Sequence, residues 1–310
     1  MARRYFKKMS ILAKIETTYG VDAVPTGAAN AMLMTDVTIT PLKAAQKDER
    51  SLPLGYDGNQ GMLVNTFYGE LQGSIELVGS GTAGTAPAWG PLMRACGMDQ
   101  TITAGVSVAY APVSYGRESV SLYFNLDGVL TKLLGVRGTW KLAFEPGKIP
   151  KIVFSLTGLF SAMTDTAFPT NTYTAFKTPV LVSDTNTTFS IHGVSVPLHS
   201  LDIDFGNKVE LYLPVNSTSV EITGREVSGA ASVEASSVAA KDWAGIFKAR
   251  TRSTLSVVHG IAAGYIATLA APSIEIGEPE VTQVQGIVAN KIPLAMCPVS
   301  GDDELTLTLT

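Results

Sequence analysis

Hydrophobic alternation with a period of two, sustained between Val120 and Phe160, constrains this chain more than any other feature. Trp140, Leu142 and Phe144 occupy alternate positions, with Lys141 and Ala143 between them. Successive side chains of an extended backbone point to opposite faces, so this spacing gives a strand one apolar face. Glu145, Pro146, Gly147 and Lys148 follow. Pro presets φ and Gly tolerates positive φ, which makes a turn. Ile152, Phe154 and Leu156 then alternate again, as the second strand of a hairpin with one buried face. Asp127-Gly128, after Leu122, Phe124 and Leu126, repeats the device one strand earlier. The expectation is a mainly β fold built on an antiparallel meander.

A chain of 310 residues has room for two ordinary domains or one large β domain. Charged residues are 16% and hydrophobic residues 45%, against about a quarter charged in an ordinary soluble domain. So weakly charged a surface is expected to be covered by other copies. The net charge of −4 argues against a general nucleic-acid binder. Cys96 and Cys297 have no metal-type spacing and read as buried thiols. The basic start, MARRYFKKMSILAKIE, has an apolar run too short for a signal peptide. Ile261 to Ala271 is too short for a membrane span. The expectation is a protein made in a cytosol, with no membrane partner.

The order of parts suggests four segments. Residues 1–31, broken at Tyr19-Gly20 and Pro25, read as an extended N-terminal arm. Its basic cluster holds Arg3 and Arg4, and Ile11, Leu12, Ile15 and Tyr19 offer apolar anchors for a neighbouring subunit. Residues 32–172 read as one β domain and 187–310 as a second, joined by a polar connector, 173–186. A long loop, Ala44 to Met62, interrupts the first. Each domain is expected to carry a short packed helix. Trp89, Leu92, Met93 and Cys96 form one apolar stripe, and Trp243, Ile246 and Phe247 repeat it. Gly73 and Gly229 stand at similar distances before the two tryptophans, which suggests an internal duplication.

Nothing in the sequence signals chemistry. His192, His199 and His259 belong to no zinc motif, and no GxSxG elbow is present. Gly79 to Gly84 lacks the GK[ST] ending of a phosphate loop. Asp202 with Asp204, and Asp302 with Asp303 and Glu304, read as solvated acidic groups. The expectation is no enzyme, no catalytic residue, no cofactor and no metal.

The run GSGTAGTAPAWGPLMRACG, from Gly79 to Gly97, resembles a segment of the major tail tube proteins of long, flexible, non-contractile (siphovirus-type) phage tails. LAKIETTYGVDAVPTGAANAML, DGVLTKLLGVRGTWKLAFEPGKIPKIVFSLTG, IHGVSVPLHSLDIDFGNKV, ITGREVSG and GDDELTLTLT are similar to the same family. The resemblance implies a β-sandwich or small barrel with a flanking helix. It implies stacked rings forming a hollow tube that passes DNA from capsid to host without specific binding. A duplicated chain would need three copies per ring, with pseudo-six-fold symmetry, and a single-domain chain six. Other tail proteins, such as tape measure, terminator and distal tail proteins, would be partners. On this reading Lys47, Asp48, Arg50, Leu54 and Tyr56 join the arm residues as contacts between subunits or rings. A lumen-facing strand is expected to carry more Asp, Glu, Ser and Thr than Lys or Arg. The competing readings are a tail terminator, a type VI secretion tube protein, or a β-sandwich holding carbohydrate on Tyr110, Tyr115, Tyr123 and Tyr173.

Overall fold

The strands with the cleanest alternation in sequence are among the longest in the fold. The computed structural model describes residues 3–50, 52, 55 and 57–310. The first half contains β1 (Met9–Ile15), α1 (Gly27–Asn30), β2 (Ala31–Met32), β3 (Thr35–Glu49), β4 (Met62–Glu76), α2 (Gly90–Ala95), β5 (Met98–Thr103), β6 (Ser107–Pro112), β7 (Val120–Leu126), β8 (Val129–Phe144) and β9 (Lys151–Asp165). The second contains β10 (Thr187–Ile191), β11 (Leu198–Asp204), β12 (Asn207–Tyr212), β13 (Ser219–Arg225), β14 (Ser228–Glu234), α3 (Trp243–Ala249), β15 (Ser253–His259), β16 (Ala267–Ile276), β17 (Glu280–Val284), β18 (Ile287–Met296) and β19 (Thr306–Leu309). The architecture is mainly β and antiparallel, with three short helices among the described residues.

Strand neighbours follow the same order in both halves. In the first, the order is β3-β4-β9-β8-β7-β1. In the second, it is β11-β14-β18-β16-β15-β10. The likeness extends to an irregularity. The β7–β8 register slips between the Val120–Val136 and Leu122–Leu133 pairs, and the β15–β16 register slips alike between Ser253–Ile274 and Leu255–Ala271. Each slip leaves an extra residue on the later strand, which bends the pair locally. β5 and β6 form a hairpin between α2 and β7, whereas α3 leads directly into β15.

The halves share one sheet and one core. β8 pairs with β9 along one side, while its other side takes β7 and then, at Lys141 to Phe144, β11. β19 lies between β16 and β6. Trp140 stacks on Phe205 with ring centroids 5.1 Å apart and planes 17° from parallel. Both rings are fully buried, in a cluster that takes side chains from both halves. Gly79 and Gly264 meet backbone to backbone: a Cβ on Gly79 would lie 2.1 Å from the Gly264 carbonyl oxygen. Only residues without a side chain allow that approach.

Two expectations need correction. Residues 9–15 are strand, not arm: β1 pairs with β7 along its whole length and buries Ile11, Leu12 and Ala13. The interruption expected from Ala44 shrinks to 50–61, because β3 and β4 are long strands that carry the hairpin to Glu49. Side chains from Gln46 to Glu49 and from Met62 to Asn65 are all exposed, so both faces of the hairpin are open there and no apolar alternation announces the strands. The connector 173–186 is docked, with Val182 buried and exchanging backbone hydrogen bonds with Gly147 and Lys148 at 2.9 and 3.0 Å.

Because Trp140 and Phe205 join the halves inside one core, Trp140→Ala should cost about 3–5 kcal/mol. Urea unfolding followed by far-ultraviolet circular dichroism should stay a single transition. Separate melting of the two halves would contradict a shared core.

Candidate assembly surface

The two helices that the sequence marked by tryptophan differ in how they seat. Trp89 immediately precedes α2 and donates its indole N–H to the Val78 carbonyl at 3.0 Å. Trp89, Leu92 and Met93 are all buried, and Gly97 takes a positive φ of 75° just past the helix, where a C-terminal cap is needed. α3 is capped at its start by Asp242, whose carboxylate accepts from the Gly245 N–H at 2.8 Å. Trp243 is buried and Ile246 packs against the core, but Phe247 is half exposed at the rim. A helix this short covers the sheet with little more than its first turn.

The basic N-terminal residues bind their own chain. Arg4 donates to the Leu126 carbonyl at 2.6 Å, the Tyr5 N–H donates to Asp127 at 2.8 Å, and Lys8 pairs with Asp127 at 3.3 Å. Arg3 is exposed. Ile11 and Leu12 are spent on the core, Ile15 packs at its margin, and Tyr19 reaches across the halves. The Val220 N–H donates to the Tyr19 hydroxyl at 2.6 Å. Ile11 and Leu12 are therefore not free to anchor a neighbour in this conformation. Lys47, Asp48 and Arg50 are exposed near the end of the β3–β4 hairpin. Leu54 and Tyr56 lie outside the described residues.

Two polar clusters escaped the sequence. Glu16 is buried and accepts from Ser121 at 2.9 Å, the Gly135 N–H at 2.9 Å, Ser119 at 2.6 Å and the Gly20 N–H at 2.8 Å. Four donors satisfy the carboxylate and tie the segment after β1 to β7 and β8. The second cluster pins the β12–β13 hairpin to the first half. The Arg137 guanidinium donates to the Val220 carbonyl at 2.9 Å and pairs with Glu221 at 2.5 Å. Arg225 donates to the Val113 carbonyl of the first half at 3.1 Å and pairs within the second half with Asp302 at 2.9 Å and with Glu304. Asp302 and Glu304 are thus not merely solvated, and Asp303 accepts from the Val299 and Ser300 N–H groups at 2.9 Å. These partners lie far apart in sequence, and no local spacing could reveal them.

Charge at these positions is structural. Among the described residues no three or more of His, Cys, Asp and Glu come together as they would to hold a metal ion. Burial pushes the Cys96 thiol up, away from thiolate reactivity; Cys297 is only half buried. The aromatic platform for carbohydrate is not assembled: Tyr110 and Tyr123 are buried, while Tyr115 stands 91% exposed. No helix among the described residues is long and apolar enough to cross a membrane.

What the surface does offer is strand edge and apolar hairpin. Among the described residues β3 pairs only with β4, and β17 only with β18. The β3–β4 hairpin exposes Leu42, Met62, Leu63, Val64 and Phe67 together. An unpaired edge beside exposed apolar side chains is a hazard in a solitary molecule and a contact in an assembled one. These features are those of a β protein with surfaces suited to contact with other chains. A model of the phage tail tube protein family matches residues 7–310, and the chain belongs to that family. It is a structural component of the phage tail tube. A search of curated proteins found no match.

Two predictions follow from this placement. Removing residues 1–13 should leave the chain unfolded by circular dichroism, because it deletes the Ile11 and Leu12 core contacts; removing 1–3 should leave the fold intact. Burial also lowers the affinity of the His192 and His259 imidazoles for protons, assisted at His192 by nearby Lys241 and opposed at His259 by the Val180 carbonyl. The unfolded chain takes up these protons near pH ~6.5. Stability from the neutral imidazoles is therefore complete above that value and is lost as pH falls below it. The melting temperature should drop between about pH 7 and about pH 5, and His259→Gln should flatten the drop.

Proposed function

We propose that this chain forms rings that stack into the hollow tube of a long, flexible, non-contractile phage tail, through which DNA passes to the host. Family membership over residues 7–310 supports the tube. The repeated strand order supports a ring of three chains, each giving two copies of one β unit and so pseudo-six-fold symmetry. Stacking is a head-to-tail contact, which propagates without closing. Tape measure, terminator and distal tail proteins meet the tube at its interior and ends. Assembly takes place in the bacterial host cytoplasm, and the product is carried in the virion tail. The chain catalyses nothing: its buried charges serve to join strands.

An acidic chain suits a conduit, since like charge keeps phosphate from adhering within about 8–10 Å. The strands that face the lumen should carry Asp, Glu, Ser and Thr in excess over Lys and Arg. Arg3, Lys47, Asp48 and Arg50 are exposed and remain candidates for contacts between rings, as Leu54 and Tyr56 are from the sequence.

Electron microscopy of the purified protein should show hollow tubes. End-on averages should show six similar lobes that alternate in detail, and the mass of the unstacked ring should equal three chains. A particle that stays monomeric at high concentration would overturn the reading.

A further inference from the structure

The contact between the halves of one chain indicates how chains meet each other. It has two components. First, Lys141 to Phe144 of β8 pair with Leu201 to Asp204 of β11. Second, the β12–β13 hairpin continues from that joint and lies across the first half, where its backbone is held by Arg137 and Arg117. Leu142, Leu201, Ile203 and Val220 are all buried at this joint.

The registers identify the corresponding residues. β11 and β12 are separated by Phe205-Gly206, and β3 has its second irregularity at the matching place, between Thr40 and Lys43. Superposing the breaks sets Ile203 with Ile39 and Leu201 with Val37. Beyond the break, Leu211 pairs Val220 and Lys47 pairs Val64, so Val220 corresponds to Val64. On the other side, Leu71, the partner of Ile39, pairs Leu156; Gly229, the partner of Ile203, pairs Leu294. Four residues before these stand Ile152 and Asn290, which pair Leu142 and Val281. β17 is therefore the counterpart of the end of β8.

The counterparts lack their cover. Leu142 is 1% exposed but Val281 is 76%; Val220 is 0% exposed but Val64 is 46%. Leu201 and Ile203 are buried, whereas Val37 and Ile39 only pack at the margin of the core. β17 and β3 each have a free edge among the described residues. Both surfaces are shaped for the joint that the chain already makes once internally.

We propose that β17 of one chain pairs antiparallel with β3 of a second copy, Val281 opposite Ile39, and that the second copy's β3–β4 hairpin lies across the first chain's second half. The pairing would continue the sheet across the chain boundary and bury Val64 and its exposed neighbours. It rests on the ring reading above and assigns that ring's lateral contact. The hairpin proposed from sequence for stacking thereby acts within a ring along its strands, leaving only its tip for contacts between rings.

Paired cysteines test the joint. Facing residues of antiparallel strands place their Cα atoms about 4.5–5.5 Å apart, within disulfide reach. Ile39→Cys with Val281→Cys, and separately Thr38→Cys with Thr282→Cys, should on oxidation give covalent dimers and trimers and nothing larger. Each cysteine alone should give no such ladder. Val281→Lys, at an exposed position, should leave the circular dichroism spectrum unchanged and abolish ring formation. Tubes that form normally without a ladder from either pair would overturn this joint while leaving the tube intact. A ladder reaching six chains would keep the joint and overturn the three-chain ring. A wild-type chain that never associates would overturn both.

Discussion

The pairing of β8 with β11 is the interaction on which the rest of the structure depends. A strand can take two neighbours, and β8 uses both sides at Lys141 to Ala143, with β9 on one and β11 on the other. Without β11, Leu142 and Phe144 would lie beside an open edge at the middle of the chain. With it, the sheets of the two halves become one, and Trp140 can stack on Phe205 inside a common core. Arg137 and Arg225 then satisfy backbone and carboxylate groups at the seam. Buried ion pairs add little net stability over an apolar seam, but they penalise a misplaced hairpin by leaving charge unpaired. The seam is therefore specific in register as well as apolar.

Much of the fold was legible in sequence because strands declare themselves by local alternation. The β8 and β9 strands, the Asp127-Gly128 turn and the Trp89 helix all rest on contacts that follow from spacing. β1 was misjudged for the opposite reason. Its seven residues, Met9 to Ile15, contain an inward Ala13 and a lysine, and the apolar stretch is too short to announce burial. What places it in the core is β7, more than a hundred residues later, and no local pattern carries that information. The β3–β4 hairpin was read as loop beyond Ala44 because strands exposed on both faces, as at Gln46 to Glu49, carry no apolar alternation and have a composition close to that of a loop.

The surface was legible only in outline. A low proportion of charged residues pointed to covered faces, but it could not say which faces. Glu16 has no motif around it, and its four donors come from three separate places in the chain. Val281 and Val64 look like ordinary strand residues until their counterparts, Leu142 and Val220, are seen buried. That difference in exposure is visible only between the two halves, and no local pattern in either half carries it.

The hairpins of the two halves end differently. β3 and β4 are joined by residues 50–61, and β12 and β13 by the shorter stretch 213–218. In a ring built from such chains, long and short tips would alternate around the circumference. A protein seated on the tube's end would then meet a surface that repeats every third of a turn, even though the wall beneath repeats twice as often. Carrying two such units on one polypeptide would, in that ring, let the wall and its rim obey different symmetries.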